Sequence, residues 1–229
     1  MHERTRPSLV VLTGAGMSAE SGIPTFRGAD GRWENHRIED VASPAGWRNN
    51  RELVLQFYNE RRKRMWQSQP NAGHLGLAEL EQRFEVTIVT QNIDNLHERA
   101  GSTRVVHLHG ELTKSRSTLD PTLVYPIDGW ELKAGDLCER GSQLRPHIVW
   151  FGEAVPMMET AIEIVHAADV LAIIGTSLAV YPAASLVDFA PARARRFLID
   201  PHPPEVADDR ITIIQAGASE GVGRLKALL

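Results

Sequence analysis

Six short runs of aliphatic and β-branched residues punctuate this chain: Leu9 to Leu12, Val86 to Thr90, Val105 to Leu108, Val170 to Ile174, Phe197 to Ile199 and Ile211 to Ile214. Helix-like stretches lie between them. Strands that are apolar at nearly every position must be covered on both faces, which implies a parallel sheet wrapped by helices. The expected fold class is α/β, a doubly wound, Rossmann-like parallel sheet. Ligands of such sheets bind beyond the carboxyl ends of the strands. Polar or glycine-rich tripeptides stand at those ends: Thr13-Gly14-Ala15, Gln91-Asn92-Ile93, His109-Gly110-Glu111, Gly175-Thr176-Ser177 and Asp200-Pro201-His202.

Two stretches break the alternation. Residues 34–80 carry helical signals, with a helix expected over Leu53 to Trp66 and Asn71 placed as an N-cap before His74-Leu75-Gly76-Leu77-Ala78-Glu79-Leu80. Residues 113–143 are rich in Gly, Pro and charge. Both read as a smaller inserted lobe, leaving 1–33, 81–112 and 144–229 as the sheet domain.

The chain has 229 residues, 42% of them hydrophobic, enough to bury a sizeable core. A formal charge of -4 argues against nucleic-acid binding, which needs clustered positive charge. The one basic run, Arg61-Arg62-Lys63-Arg64, reads as a solvated helix face. A single cysteine, Cys138, can form neither an internal disulfide nor a thiolate zinc cage, which suits a reducing cytoplasm. The first apolar run is too short for a signal-peptide core or a membrane helix, so neither export nor membrane insertion is expected.

Directly behind the first run comes Gly14-Ala15-Gly16-Met17-Ser18-Ala19-Glu20-Ser21-Gly22. Gly14, Gly16 and Ala19 fit a G-x-G-x-x-G/A turn, which lets backbone approach a pyrophosphate and aims the N-terminus of the next helix at it. The sequence continues Ile23-Pro24-Thr25-Phe26-Arg27-Gly28. Taken with TQNIDNLH at 90–97, HLHG at 107–110, RPHIVWFGE at 145–153 and IGTSLAVYPA at 174–183, GAGMSAESGIPTFRG resembles the sirtuin family of NAD-dependent protein deacylases. The resemblance covers nearly the whole chain and fails only around 113–143.

That resemblance implies NAD as cofactor, held by Gly14, Ala15, Gly16, Ser18, Ala19, Glu20, Thr25, Trp33, Gln91, Asn92, Ile93 and Asp94, with Phe26 shielding the reactive ribose carbon and Arg27 approaching the phosphates. Gly175, Thr176 and Ser177 would meet phosphate and adenosine ribose, and Ala218 would lie beside adenine. Asp200 stands where sirtuins usually carry asparagine, and adds negative charge near the cofactor. Asn92 and Asp94, one residue apart at a strand end, suit an amide that orders a ribose hydroxyl or water and a carboxylate that accepts the nicotinamide amide N–H; alone, they also fit an Asx turn. His109 is the expected general base, since an imidazole is a competent proton acceptor at neutral pH. His107 shares its strand face, but no third ligand completes a metal site, so a structural role is expected for His107, as for His74, His97 and His147.

On the helix over Leu53 to Trp66, Val54, Tyr58, Arg61 and Met65 fall on one largely apolar face. Tyr58 and Arg61 match the pair that marks sirtuins resembling the desuccinylase and demalonylase branch, where they hold the distal carboxylate of succinyl-lysine. Val149, Phe151, Gly152 and Glu153 resemble the groove that pairs with an acyl-lysine peptide by strand addition. The implied function is NAD-dependent removal of acyl groups from protein lysines, releasing nicotinamide and O-acyl-ADP-ribose, by a monomer acting on acylated proteins. NAD glycohydrolysis or ADP-ribosyl transfer in the same crevice, and NAD binding without catalysis, are the alternatives.

Sirtuins commonly brace their small lobe with zinc on two Cys-x-x-Cys pairs between the HG and RPH motifs. Cys138 is the only cysteine there, so no zinc is expected, and 113–143 is expected to pack around Leu119, Leu123, Tyr125, Trp130 and Leu137. Elemental analysis of the purified chain is therefore expected to give no stoichiometric zinc; one zinc per chain would overturn this.

Overall fold

A computed structural model describes residues 6–25, 32–33, 35–204 and 209–229. In chain order the elements are β1 Ser8–Thr13, a 3-10 helix Ala15–Ser21, β2 Arg32–Trp33, β3 His36–Arg37, α1 Ile38–Val41, α2 Pro44–Asn49, α3 Arg51–Gln67, α4 Ala72–Leu80, β4 Glu85–Thr90, α5 Leu96–Arg99, β5 Val105–His107, β6 Gly110–Ser117, β7 Val124–Pro126 and β8 Leu144–Ile148. Then come α6 Met158–His166, β9 Val170–Ile174, a 3-10 helix Ala183–Phe189, β10 Arg195–Ile199, β11 Ile211–Ile214 and α7 Ala218–Leu228.

All six apolar runs enter one sheet, ordered β11-β10-β9-β1-β4-β5, and every pairing in it is parallel. Side chains alternate between the faces of a strand, so each run feeds two cores. Leu9 and Val11 join Val86, Ile88, Ala172 and Phe197 on one face, under α4 and α7. Val10 and Leu12 join Val89, Leu171, Ile173 and Leu198 on the other, under α6 and the 3-10 helix Ala183–Phe189. The chain leaves β1 for β4 on one side and later returns to β9 on the other, so the strand order reverses between β1 and β9. That reversal opens the crevice at which such sheets bind ligands.

The smaller body is built on α3. Its start is capped by Asn50, whose Oδ1 accepts from Leu53 N–H at 3.0 Å. Its inner face, with Val54, Phe57, Tyr58 and Met65, packs with Trp47, Leu112, Leu132, Ile148 and Trp150. Beside it, β6, β7 and β8 form an antiparallel sheet in the order β7-β6-β8. Helix α4 begins at Asn71, whose Oδ1 accepts from Gly73 N–H while His74 Nδ1 accepts from Asn71 N–H, a reciprocal cap. It comes after α3 in sequence, yet Leu77 and Leu80 pack in the parallel-sheet core against α7.

Segment 113–143 does not pack as its apolar content suggests. Leu119 is 64% exposed, Leu137 54% and Trp130 42%, so they form no satellite core. Backbone groups fix the segment instead. Asn59 Oδ1 accepts from Leu132 N–H and its Nδ2 donates to Leu132 C=O, both at 2.9 Å, as a neighbouring strand would. Arg62 donates to the carbonyls of Leu112 and Trp130 and to Asn59 Oδ1. Far from lying on a solvated face, Arg62 is fully buried, and burial pulls its pKa down to about 10. At the far end, Ser142 Oγ lies 2.7 Å from Thr118 Oγ1 and 3.3 Å from Ser117 Oγ, and the Cys138 thiol donates to Ser117 Oγ. Hydroxyls and amides thus hold the segment to its neighbours.

Arg62→Met would leave two buried carbonyls without their donor, at roughly 1–3 kcal/mol each. In a domain of this size that is expected to lower the Tm by about 5–15 °C. Thermal unfolding monitored by circular dichroism checks this, and an unchanged Tm would show that the segment is held by other means.

Candidate active site

At the crevice, two loops touch backbone to backbone. Gly14 N–H donates to Ile174 C=O at 3.0 Å and Gly16 N–H to Gly175 C=O at 2.8 Å. A Cβ on Gly14 would sit 2.7 Å from Gly175 O, and one on Gly16 2.6 Å from Gly175 Cα. The glycines are therefore required first by loop-against-loop contact. Gly175 has φ +62°, in the left-handed region that favours glycine. Beyond Gly14 the helix that follows the turn is a seven-residue 3-10 helix, Ala15–Ser21. So short an element gathers little dipole. It nevertheless turns Ser18 into the site.

Four groups interlock at the end of β4. Asn92 Nδ2 donates to Gly14 C=O at 3.0 Å and to Ser18 Oγ at 3.3 Å. Ser18 Oγ donates in turn to Asp94 Oδ2 at 3.0 Å, and Asp94 Oδ1 accepts from Leu96 N–H at 3.1 Å. With both N–H bonds of its amide engaged, Asn92 offers its carbonyl oxygen to a ligand. Asp94 is buried, and burial raises its pKa despite the two donors.

His109 stands just beyond β5. Its Nδ1 lies 3.0 Å from the Gln91 carbonyl, which only accepts, so Nδ1 carries the proton. In the neutral ring Nε2 is then the bare acceptor, and it has no partner among the described residues. Burial lowers the pKa of His109 more than the carbonyl raises it, so the ring is neutral at pH 7. Gln91 Nε2 donates to Thr176 Oγ1 at 3.1 Å, tying the end of β4 to that of β9.

A cavity of about 380 Å³, mouth included, opens beside Asp94. Ile23, Pro24, Ile93 and Asp94 line it from the sheet side, and Trp33, Arg61, Arg64 and Met65 from the small body. The Arg61 guanidinium lies 3.2 Å from the Phe57 ring centroid and 4.9 Å from that of Trp33, and its Nη1 donates to Phe57 C=O at 2.9 Å. Tyr58 does not line the cavity: it is fully buried, and its oxygen accepts from Trp150 Nε1 at 3.1 Å. Burial pushes its phenol pKa far up.

Other expected residues take different parts. Glu20 accepts from Ser219 N–H, at the first turn of α7, where Ala218 is buried. Glu153 is gripped by Arg145 at 2.7 Å and Arg116 at 3.1 Å and accepts from Trp150 N–H, so its carboxylate braces the loop that presents Val149, Phe151 and Gly152. Phe151 in that loop is 45% exposed, as a docking surface would be. Asp200 accepts from His202 N–H at the end of β10, and Ser177 is exposed beyond β9. Ala15 and Ala19 belong to the 3-10 helix, and Thr25 is half-buried before residues 26–31. Phe26 and Arg27 lie outside the described residues. Among those residues no group of three or more His, Cys, Asp or Glu side chains could hold a metal ion, and no helix is long and apolar enough to cross a membrane.

Behind the site, hydroxyl and imidazole side chains tie the strand ends together. Thr90 Oγ1 accepts from Asn92 N–H at 3.0 Å and from the Thr13 hydroxyl at 2.8 Å, and Thr13 Oγ1 lies 3.2 Å from His97 Nε2. His74 and His97 meet edge to face with ring centroids 4.8 Å apart, and burial lowers both pKa values. Thr90 opens the TQNIDNLH motif and Thr13 the tripeptide behind the first run, but nothing in either stretch marks their contact; the pairing of β1 with β4, which sets Thr13 opposite Thr90, brings them together.

Comparison with known proteins places this geometry. The Sir2 family model matches residues 14–182. An NAD-dependent protein deacylase of Bacteroides thetaiotaomicron is 55% identical over 228 residues, 97% of each chain. One from Helicobacter pylori is 58% identical over 196 residues, covering 85% of this chain and 84% of the relative. Among solved structures, a Sir2 homolog in complex with NAD is 35% identical with a TM-score of 0.85, covering 99% of this chain and 98% of the other. A Sir2 protein with a deacetylated p53 peptide and 3'-O-acetyl ADP-ribose is 30% identical with a TM-score of 0.81, covering 96% and 93%. The glycine turn, the Asn92–Asp94 pair and His109 all lie within the matched region, and the chain belongs to the Sir2 family.

Proposed function

We propose that this chain is an NAD-dependent protein-lysine deacylase that favours acyl groups ending in a carboxylate. The deacylase reading is supported by relatives so named that are 55% and 58% identical over the aligned residues. The observation that carries it is His109, whose proton is committed to the carbonyl of Gln91, the residue before Asn92, so that Nε2 remains a bare base.

The residues present fit NAD. The end of β1, the turn at Gly175 and Thr176, and Asn92 converge at one crevice, and the buried Asp94 carboxylate borders the cavity beside it. When bound, NAD supplies an electrophilic ribose carbon with nicotinamide as the leaving group. Asp94, with Ile93, would receive the nicotinamide carboxamide; Asn92 Oδ1 would order a ribose hydroxyl; His109 Nε2 would take the ribose hydroxyl proton. Val149, Phe151 and Gly152 would receive the peptide backbone.

The acyl preference rests on Arg61, whose guanidinium borders the same cavity as Asp94 with its stem against aromatic rings. A planar cation beside Trp33 and Met65, with a second guanidinium at Arg64 on the same wall, suits a distal carboxylate. Tyr58 is fully buried and absent from the cavity lining, so as placed it packs α3 against Trp150 rather than meeting that carboxylate.

Mass-spectrometric turnover of matched acetyl-lysine and succinyl-lysine peptides with NAD tests both levels. Arg61→Met is expected to lower desuccinylation far more than deacetylation; equal losses would sink the carboxylate reading, and free ADP-ribose formed without peptide would replace deacylation by glycohydrolysis. His109→Ala is expected to lower turnover by about 10²–10⁴-fold. Because burial lowers the His109 pKa, its base form persists below the unperturbed value of about 6.5 and is lost only as pH falls through the lowered one. The acid limb of kcat/KM is therefore expected below pH ~6.5, and a limb above 7 would exclude His109 as that base.

A further inference from the structure

His107, the last residue of β5 and two before His109, has a different partner set. Its side chain is 7% exposed; Nδ1 lies 2.9 Å from the Asn92 carbonyl oxygen and Nε2 2.8 Å from Glu98 Oε1. Both partners only accept. A neutral imidazole has one N–H, so only the imidazolium satisfies both at once. We propose that His107, held by Glu98, is a positioning residue for the reaction: it grips the Asn92 backbone carbonyl and so fixes the angle at which the Asn92 amide meets the ribose. This rests on the role of Asn92 proposed above.

The geometry gives the grip a specific effect. Asn92 N–H is already held by Thr90 Oγ1 and its Nδ2 by Gly14 and Ser18. The backbone carbonyl is the remaining main-chain handle on this residue, and His107 takes it. Glu98 lies on α5, which starts two residues after Asp94, so the strand end, the short helix and β5 close into one ring of contacts. Burial alone would lower the His107 pKa, but the Glu98 hydrogen bond and charge, the Asn92 carbonyl and Glu111 on β6 outweigh it, and the pKa is raised. Burial of Glu98 is likewise outweighed by His107 and by Lys114 on β6, and its pKa is lowered. Asp94 faces His107 from the β4 loop, and the neutral His97 faces it from α5.

As pH rises through the raised His107 pKa, the ring keeps one proton for two acceptors and either Asn92 or Glu98 is released. Glu98→Gln removes the conflict, because a neutral ring can donate from Nδ1 to Asn92 and accept at Nε2 from the new amide. In the wild type, kcat for deacylation is expected to show an alkaline limb that moves or vanishes in Glu98→Gln. His107→Ala is expected to lose on the order of 10²-fold in kcat with little change in peptide KM. The limb staying in place in Glu98→Gln, or wild-type kcat in a folded His107→Ala, would overturn the proposal. A second readout is independent of turnover: in NMR titrations the Asn92 side-chain amide is expected to track the His107 imidazole nitrogens in the wild type and not in Glu98→Gln. Failure to track them would also overturn it. Absence of NAD-dependent turnover in the wild type would instead refute the deacylase reading, with the titration still deciding whether His107 governs Asn92.

Discussion

The contact between the turn at Gly14–Gly16 and the turn at Gly175 is the constraint on which the rest of the site depends. Two parallel strands that part company must each end in a turn, and here the turns close on one another until their backbones hydrogen-bond directly. No side chain can stand between them: a Cβ on Gly14, Gly16 or Gly175 would fall under 3 Å from opposing backbone. The closure brings the β4 end within reach as well, since Gln91 N–H donates to Thr13 C=O and Asn92 binds Gly14. Asn92 and Asp94 are thus placed by backbone before any ligand arrives. That is the preorganisation on which electrostatic catalysis depends.

The small body is held together differently. Asn59, Arg62 and a group of hydroxyls join its distant parts with many weak bonds. Burying the Arg62 guanidinium is costly unless carbonyl oxygens surround it, and its acceptors at Leu112, Asn59 and Trp130 all belong to the region it joins. The arrangement needs every member in place, which is why polar networks of this kind give one definite geometry or none.

The parallel sheet is legible in the sequence because each strand is apolar on both faces, a pattern that few other environments explain. The site motifs can be read because Gly14, Asn92, Asp94 and His109 must stand at strand ends to act together. Segment 113–143 misleads because Leu119, Trp130 and Leu137 suggest a core by composition, while its actual ties run through main-chain groups that composition does not encode. Arg62 reads as solvated for the same reason: its acceptors are carbonyls 50 and 68 positions away. Glu98 and His107 meet only because α5 folds back over β5, a contact that neither residue announces.

Helix α3 carries Asn59 and Arg62 on the flank that grips the inserted segment, and Arg61 with Met65 on the flank that borders the cavity. Ile93 and Asp94 form the opposite wall and belong to the sheet. The cavity therefore behaves as a gap between two jaws rather than a hole in one body. Its width is set by where α3 is seated against the sheet, so a change in the residues that seat α3 would alter what the gap can admit, even when no wall residue has been altered.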